Sequence, residues 1–199
     1  MLTSCGVSSL VIDRLCDQAE GRDAAVACFY FDFAARKDQS LTNVLGALLK
    51  QLVCGLEDTP EEISRAYRGQ RSAIGGRGPQ LAEIVRMLQT ITSGKHTFIC
   101  LDALDECVVR DRVKLLDSLN QILQGSPGTR MFVAGRSHIR AEVRRRLSKR
   151  VSTIRLTSRR DDIISYLHSR LSEDPTPDAM DSSLEEDILE KIPEDMSEM

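Results

Sequence analysis

The run Phe98-Ile99-Cys100-Leu101 has no polar residue at any position, and three carboxylates, Asp102, Asp105 and Glu106, follow it at once. A strand sends alternate side chains to opposite faces, so a run that is apolar throughout is buried on both. Such strands belong to parallel sheets with helices on each side. The rest of the chain has to supply more strands of this kind, with amphipathic helices between them.

Both are present. Ala25–Phe33 (AVACFYFDF) reads as a buried strand, as do Arg130–Ala134 (RMFVA) and the short Ser152–Leu156. Helical periodicity is clearest over Ser40–Val53, where Leu41, Val44, Leu45, Leu48, Leu49 and Leu52 form one stripe. Weaker stripes predict helices over Ser8–Gln18, Pro79–Thr92, Asp111–Leu123, Ile139–Leu147 and Ser158–Leu171. Thr59-Pro60-Glu61-Glu62 opens a further helix that runs to about Gly69, and Ser183-Leu184-Glu185-Glu186 opens one that ends near Ile192. Ile74–Gly78 reads as a loop, and Asp174–Ser182, with Pro175 and Pro177, as a linker. The expected fold is α/β, a parallel sheet between helices over residues 1–157, followed by helices over residues 158–199.

At 199 residues, with 41% hydrophobic and 29% charged side chains, the composition is that of a globular chain rather than a disordered one. No apolar run approaches a bilayer span, and no basic stretch precedes the apolar residues near Met1, so neither a membrane partner nor a signal peptide is expected. The six cysteines form no CxxC pair, which argues against a zinc site or a disulfide framework and for a reducing, cytoplasmic setting. Arginines crowd residues 140–150 without interleaved aromatics, so a solvated helix face is expected there rather than a nucleic-acid patch. His96, His138 and His168 show no spacing that suggests a triad or a metal site.

The chemistry lies at the strand tips, because ligands of open α/β sheets bind outside the carboxyl ends of the strands. Asp102, at the end of its strand, suits a hard Mg²⁺ ion that keeps several waters. Glu106, and after it Asp105, are candidates for the general base that polarises an attacking water. Arg136, past the neighbouring strand, has the fork of donors that fits phosphate oxygens. The bland alternative is that the aspartates end a strand and cap the next turn.

These residues also carry a resemblance. TFICLDALDEC resembles the Walker B segment of NACHT domains, and Gly128–Arg136 (GTRMFVAGR) resembles their sensor 1 strand. Phe29–Leu52 is similar to their second strand and the helix after it, and the type most resembled is the nephrocystin-3-like N-terminal one, abundant in fungal NOD-like proteins with ankyrin or other repeats. The resemblance implies a P-loop NTPase of the signal-transducing (STAND) kind, with residues 158–199 as the start of the small helical domain that follows its α/β module. In the intact protein Mg²⁺ and ATP or GTP would switch a closed form into a self-associating one, with downstream repeat domains adding protein partners. Asp102 would be the Mg²⁺ residue, Asp105 and Glu106 the catalytic acids, and Arg136 the sensor.

One element of the pattern is missing. No glycine-rich loop ending in Gly-Lys-Ser/Thr occurs, and Gly6-Val7-Ser8, with Val in the Lys position, reads as a coincidence. The expectation is therefore a partial module, or alternatively a non-hydrolysing interaction segment or an inactive remnant.

Overall fold

The computed structural model describes residues 4–56, 58–72, 78–147, 151–156, 160–173 and 181–197. The chain divides into two compact units, Met1–Val151 and Ser152–Met199.

The first unit is built on a parallel sheet of β1 (Ala24–Tyr30), β2 (His96–Asp102) and β3 (Thr129–Val133) in that spatial order. The register pairs Cys28 with Cys100, Tyr30 with Asp102, and Leu101 with Val133. Parallel neighbours need crossovers, and helices supply them. α2 (Leu41–Cys54), α3 (Glu61–Ser72) and α4 (Leu81–Gly94) connect β1 to β2, while α5 (Val109–Gly125) connects β2 to β3. α1 (Ser4–Ala19) precedes the sheet, and α6 (Arg140–Arg146) follows β3.

The two parities of β2 face different partners. Ile99 and Leu101 point into the main core with Ala27, against the α2 stripe of Val44, Leu45, Leu48 and Leu52 and against Leu88, Leu116 and Leu119. Cys100 and Asp102 occupy the opposite face, where α1 lies across β1 and β2 and Ile12 and Ser8 are buried. The free edge of β1 is bridged at one position, Cys28. The Gln51 side chain of α2 accepts from Cys28 N–H at 2.9 Å and donates to Cys28 C=O at 2.8 Å, satisfying both backbone groups as a neighbouring strand would.

Several expectations are corrected. Ser152–Leu156 is not a strand: it pairs with nothing in the sheet, and Ile154 and Leu156 are exposed. A short apolar run becomes a strand only when a ladder takes up its N–H and C=O groups. β1 ends at Tyr30, short of Phe33, because Asp32 Oδ1 accepts from Ala34 N–H at 2.8 Å and turns the chain. α4 begins at Leu81 rather than at Pro79, with Gln80 N–H held by the Glu83 carboxylate at 2.8 Å. Most of the Ile74–Gly78 and Asp174–Ser182 segments lies outside the described residues.

In the second unit α7 (Arg160–Ser172) packs against α8 (Ser182–Ser197). The cap of α8 is Asp181, whose Oδ1 accepts from Leu184 N–H at 2.7 Å, not Ser183. Among the described residues no helix is long and apolar enough to cross a membrane.

Burial sorts the cysteines by reactivity. It pushes the Cys100 thiol up to about 12 and the Cys107 thiol up to about 11, whereas Cys16 and Cys54 are exposed. Brief alkylation of the native chain near pH 8, read by peptide mass spectrometry, is expected to label Cys16 and Cys54 and to spare Cys100 and Cys107. Labelling of Cys100 at the rate of Cys16 would contradict the packing of β2 under α1.

Candidate functional site

β2 delivers Asp102 at its last position, and a single backbone irregularity then redirects the chain. Ala103 adopts the left-handed conformation, φ 51° and ψ 41°, the only non-glycine with positive φ among the described residues. A one-turn 3₁₀ helix, Leu104–Glu106, follows. Backbone bonds beyond the strand ends fix this turn to the loop after β3: Ala134 N–H donates to Leu101 C=O at 2.8 Å, and Leu104 N–H donates to Ala134 C=O at 3.0 Å.

The reversal sends the acids to different places. Asp102 stays on the α1 face, 3% exposed, and there the Ser8 hydroxyl donates to its Oδ1 at 2.6 Å. Asp105 and Glu106 go to the sheet mouth instead. With Phe33, Arg36, Arg136 and His138 they line an open cleft of about 450 Å³. Three of the four residues singled out from the sequence therefore share one cleft, and Asp102 lies apart from it beneath α1.

Asp105 and Arg136 meet twice. Asp105 Oδ1 accepts from the Arg136 backbone N–H at 3.1 Å, and Oδ2 lies 3.4 Å from Arg136 Nε. The Asp105 side chain is only 6% exposed, so these contacts offset the cost of withdrawing a carboxylate from water. Glu106 is shared: Oε1 is 3.5 Å from Arg136 Nη2, and Oε2 is 3.7 Å from Arg36 Nη2. Gly135 makes the approach of the β3 loop possible. A Cβ there would stand 2.8 Å from Ile139 Cδ1 and 3.1 Å from Asp105 Oδ1.

A buried arginine holds the turn from below. Arg112 of α5, 6% exposed, donates through Nη1 to Cys107 C=O at 3.1 Å, and its Nε and Nη2 reach Glu142 of α6 at 3.0 and 2.9 Å. Its charge-assisted bonds tie together the segments that follow β2 and β3.

The donor set can be tested for a divalent cation. A hydroxyl and a carboxylate 2.6 Å apart are both hard oxygen donors, the type that Mg²⁺ accepts beside its waters and ligand phosphates. Among the described residues no group of three or more His, Cys, Asp or Glu side chains could hold a metal, so a cage made by the protein alone is not present there. Ser8 and Asp102 are the right donor type for such an ion, but at 0% and 3% exposure they are enclosed beneath α1, and an ion there would need that enclosure to open.

Sequence reasoning missed four contributors. Ser8 belongs to the Gly6-Val7-Ser8 string, which reads as a coincidence in the sequence, yet the fold sets its hydroxyl against Asp102 at 2.6 Å. His138 has no triad or metal spacing in the sequence, yet it lines the cleft. Nothing local in the sequence distinguishes Phe33 and Arg36, since only the β1–β2 register carries their loop to the mouth.

The family model described as nephrocystin 3, N-terminal, matches residues 6–136. Among solved structures, the Walker-type ATPase PABY2304 of Pyrococcus abyssi is similar to this chain with a TM-score of 0.46 and 12% identity, over 92% of this chain and 63% of that one. This chain thus spans less than two thirds of that ATPase. No match was found among curated proteins.

Two substitutions test the geometry of the turn. Ala103→Gly removes the steric cost of left-handed backbone, about 1–2 kcal/mol, against a smaller gain in unfolded-chain entropy. Chemical denaturation is expected to show a net stabilisation of about 0.5–1 kcal/mol, and a destabilised variant would mean that Ala103 is not left-handed. Gly135→Ala is expected to cost about 1–3 kcal/mol through overpacking against Ile139 and Asp105. An unchanged unfolding midpoint would refute the close approach of the β3 loop.

Proposed function

The chain belongs to the nephrocystin 3, N-terminal family, and on that premise we propose that it is a nucleotide-binding module of the P-loop NTPase kind. Its role would be that of a switch in a cytoplasmic signalling protein of the NACHT type. The observation that carries this reading is the division of labour around the tip of β2. Ser8 and Asp102 form a hard-oxygen pair on one side, and Asp105, Glu106 and Arg136 form a charged cluster on the other. Ser8 and Asp102 would hold Mg²⁺, which would supply neutralisation of the charge on the phosphates of ATP or GTP. Glu106 would orient and deprotonate a water, with Asp105 as its neighbour, and Arg136 would report the terminal phosphate. Release or arrival of that phosphate would move the loop after β3, and self-association with further protein partners would follow.

Within this reading, one observation favours binding without turnover. The two oxygens of Glu106 lie 3.5 and 3.7 Å from arginines, Arg136 and Arg36, so the carboxylate would have to leave one of them to engage a water. Val7 also stands where a phosphate-binding lysine would be needed beside Ser8. A module that senses nucleotide without hydrolysing it is consistent with both facts.

Equilibrium binding of a fluorescent ATP analogue to residues 1–199, with and without Mg²⁺, is the direct test. Binding is expected to depend on Mg²⁺, and Asp102→Asn is expected to abolish that dependence. Phosphate release should stay at background. Turnover that disappears in the Asp102→Asn/Glu106→Gln double variant would overturn the non-hydrolysing reading, and Mg²⁺-dependent binding that survives Asp102→Asn would overturn the assignment of the metal side.

A further inference from the structure

The loop after β1 brings a second arginine to the cleft, and its surroundings differ from those of Arg136. Asp32 organises the loop: its Oδ1 accepts from Ala34 N–H at 2.8 Å, its C=O accepts from Ala35 N–H at 3.2 Å, and its own N–H donates to Gln39 Oε1 at 3.3 Å. Phe33 is thereby left 63% exposed, and the Arg36 guanidinium carbon stacks 3.9 Å above its ring centroid. Arg36 Nε donates to the Glu106 backbone C=O at 2.8 Å. A main-chain acceptor and an aromatic face thus fix this guanidinium, and neither contact depends on a carboxylate staying in place. The only charged contact described for it, to Glu106 Oε2, is long at 3.7 Å.

We propose that Arg36 is the pre-positioned cation of this cleft and that it binds the terminal phosphate of a Mg²⁺-bound triphosphate opposite Arg136. The proposal rests on the nucleotide-site reading above and adds to it a residue that reads phosphate number. Three features converge on it. Arg36 and Arg136 follow β1 and β3 on either side of the acidic tip of β2, so an anion at the mouth would lie between two forks. Arg136 is 68% exposed and its guanidinium is paired with the carboxylates of Asp105 and Glu106, whereas Arg36 is 37% exposed and held by a main-chain carbonyl and an aromatic ring. The planar guanidinium, fixed at Nε and by its stacked face, keeps its Nη edge for two phosphate oxygens. The two acids cancel the two arginines, so a bare anion gains little here. A phosphate at the mouth would have to draw the arginines from Asp105 and Glu106, and Arg36 is the one whose main-chain and aromatic contacts survive that exchange.

The test is calorimetric titration of the 199-residue chain with ATP, ADP and inorganic tripolyphosphate, each with Mg²⁺, for wild type, Arg36→Ala and Arg144→Ala. Arg36→Ala is expected to weaken ATP and tripolyphosphate by about tenfold or more, the equivalent of one lost charge-assisted pair. ADP should change by less than about twofold, and Arg144→Ala, on the exposed face of α6, should leave all three ligands unaltered. Arg36→Gln repeats the test should alanine lower the melting temperature. Equal losses for ATP and ADP, or no loss at all, overturn the proposal and leave the nucleotide reading standing. Arg36-dependent binding of tripolyphosphate without binding of ATP sustains the anion anchor and removes the nucleotide reading. A wild-type chain that binds none of the three overturns both.

Discussion

Burial of β2 on both faces is the constraint from which the rest of this structure follows. Ile99 and Leu101 are fully enclosed in the main core, and Cys100 is enclosed beneath α1, so the strand has no solvent face along its centre. A strand placed in this way must be hydrogen-bonded on both edges, and β1 and β3 provide fully parallel ladders. Its end is equally constrained. The first position where polar groups can emerge is the carboxyl tip, and three carboxylates are concentrated there within five residues. Packing, rather than any property of the acids, therefore decides where charge can appear.

The charged residues around that tip differ in how freely they can move. Arg112 and Glu142 are a nearly enclosed pair, and removal of either partner would strand the other, at about 3–5 kcal/mol. Arg136 is mostly in solvent, and its contact with Glu106 is worth no more than about 1 kcal/mol. One end of the acidic turn is thus anchored and the other is loosely held. A ligand at the cleft can displace Arg136 from Glu106 at small cost, while Arg112 keeps the turn on its helical support. This asymmetry leaves the acidic turn with one rigid support, at Arg112, and one labile contact, at Arg136.

The sequence made the sheet and its main core legible because parity and period are local signals. Every residue of the Ser40–Val53 stripe is in fact enclosed, and the acid-tipped strand stands in the middle of the sheet. What it could not reveal depended on contacts between distant segments. The fate of Ser152–Leu156 hinged on whether a partner edge was available, which no window of five residues encodes. Ser8 and Asp102 are 94 positions apart, and Arg36 and Glu106 are 70 apart, so both pairs exist only once the register is set. Ala103 gave no warning either, since alanine is not a residue whose presence suggests left-handed backbone.

That left-handed alanine has a mechanistic consequence. An extended or right-handed residue after Asp102 would carry the chain away from the β3 loop, and Leu104 N–H could not reach Ala134 C=O. The reversal lets one strand end serve two compartments, with a hydroxyl–carboxylate pair under α1 and an arginine-bridged acid pair at the open mouth. A cation bound in the first compartment and an anion bound in the second are then only a few residues apart along a backbone whose ladder bonds hold it on both sides. Neither ion is well accommodated alone. The metal side offers too few ligands to complete a coordination shell, and the mouth has no net charge with which to attract phosphate. Under the proposed nucleotide reading, two sites that are each incomplete, joined by a stiff turn, would favour a ligand that brings both charges together, such as a magnesium-bound polyphosphate.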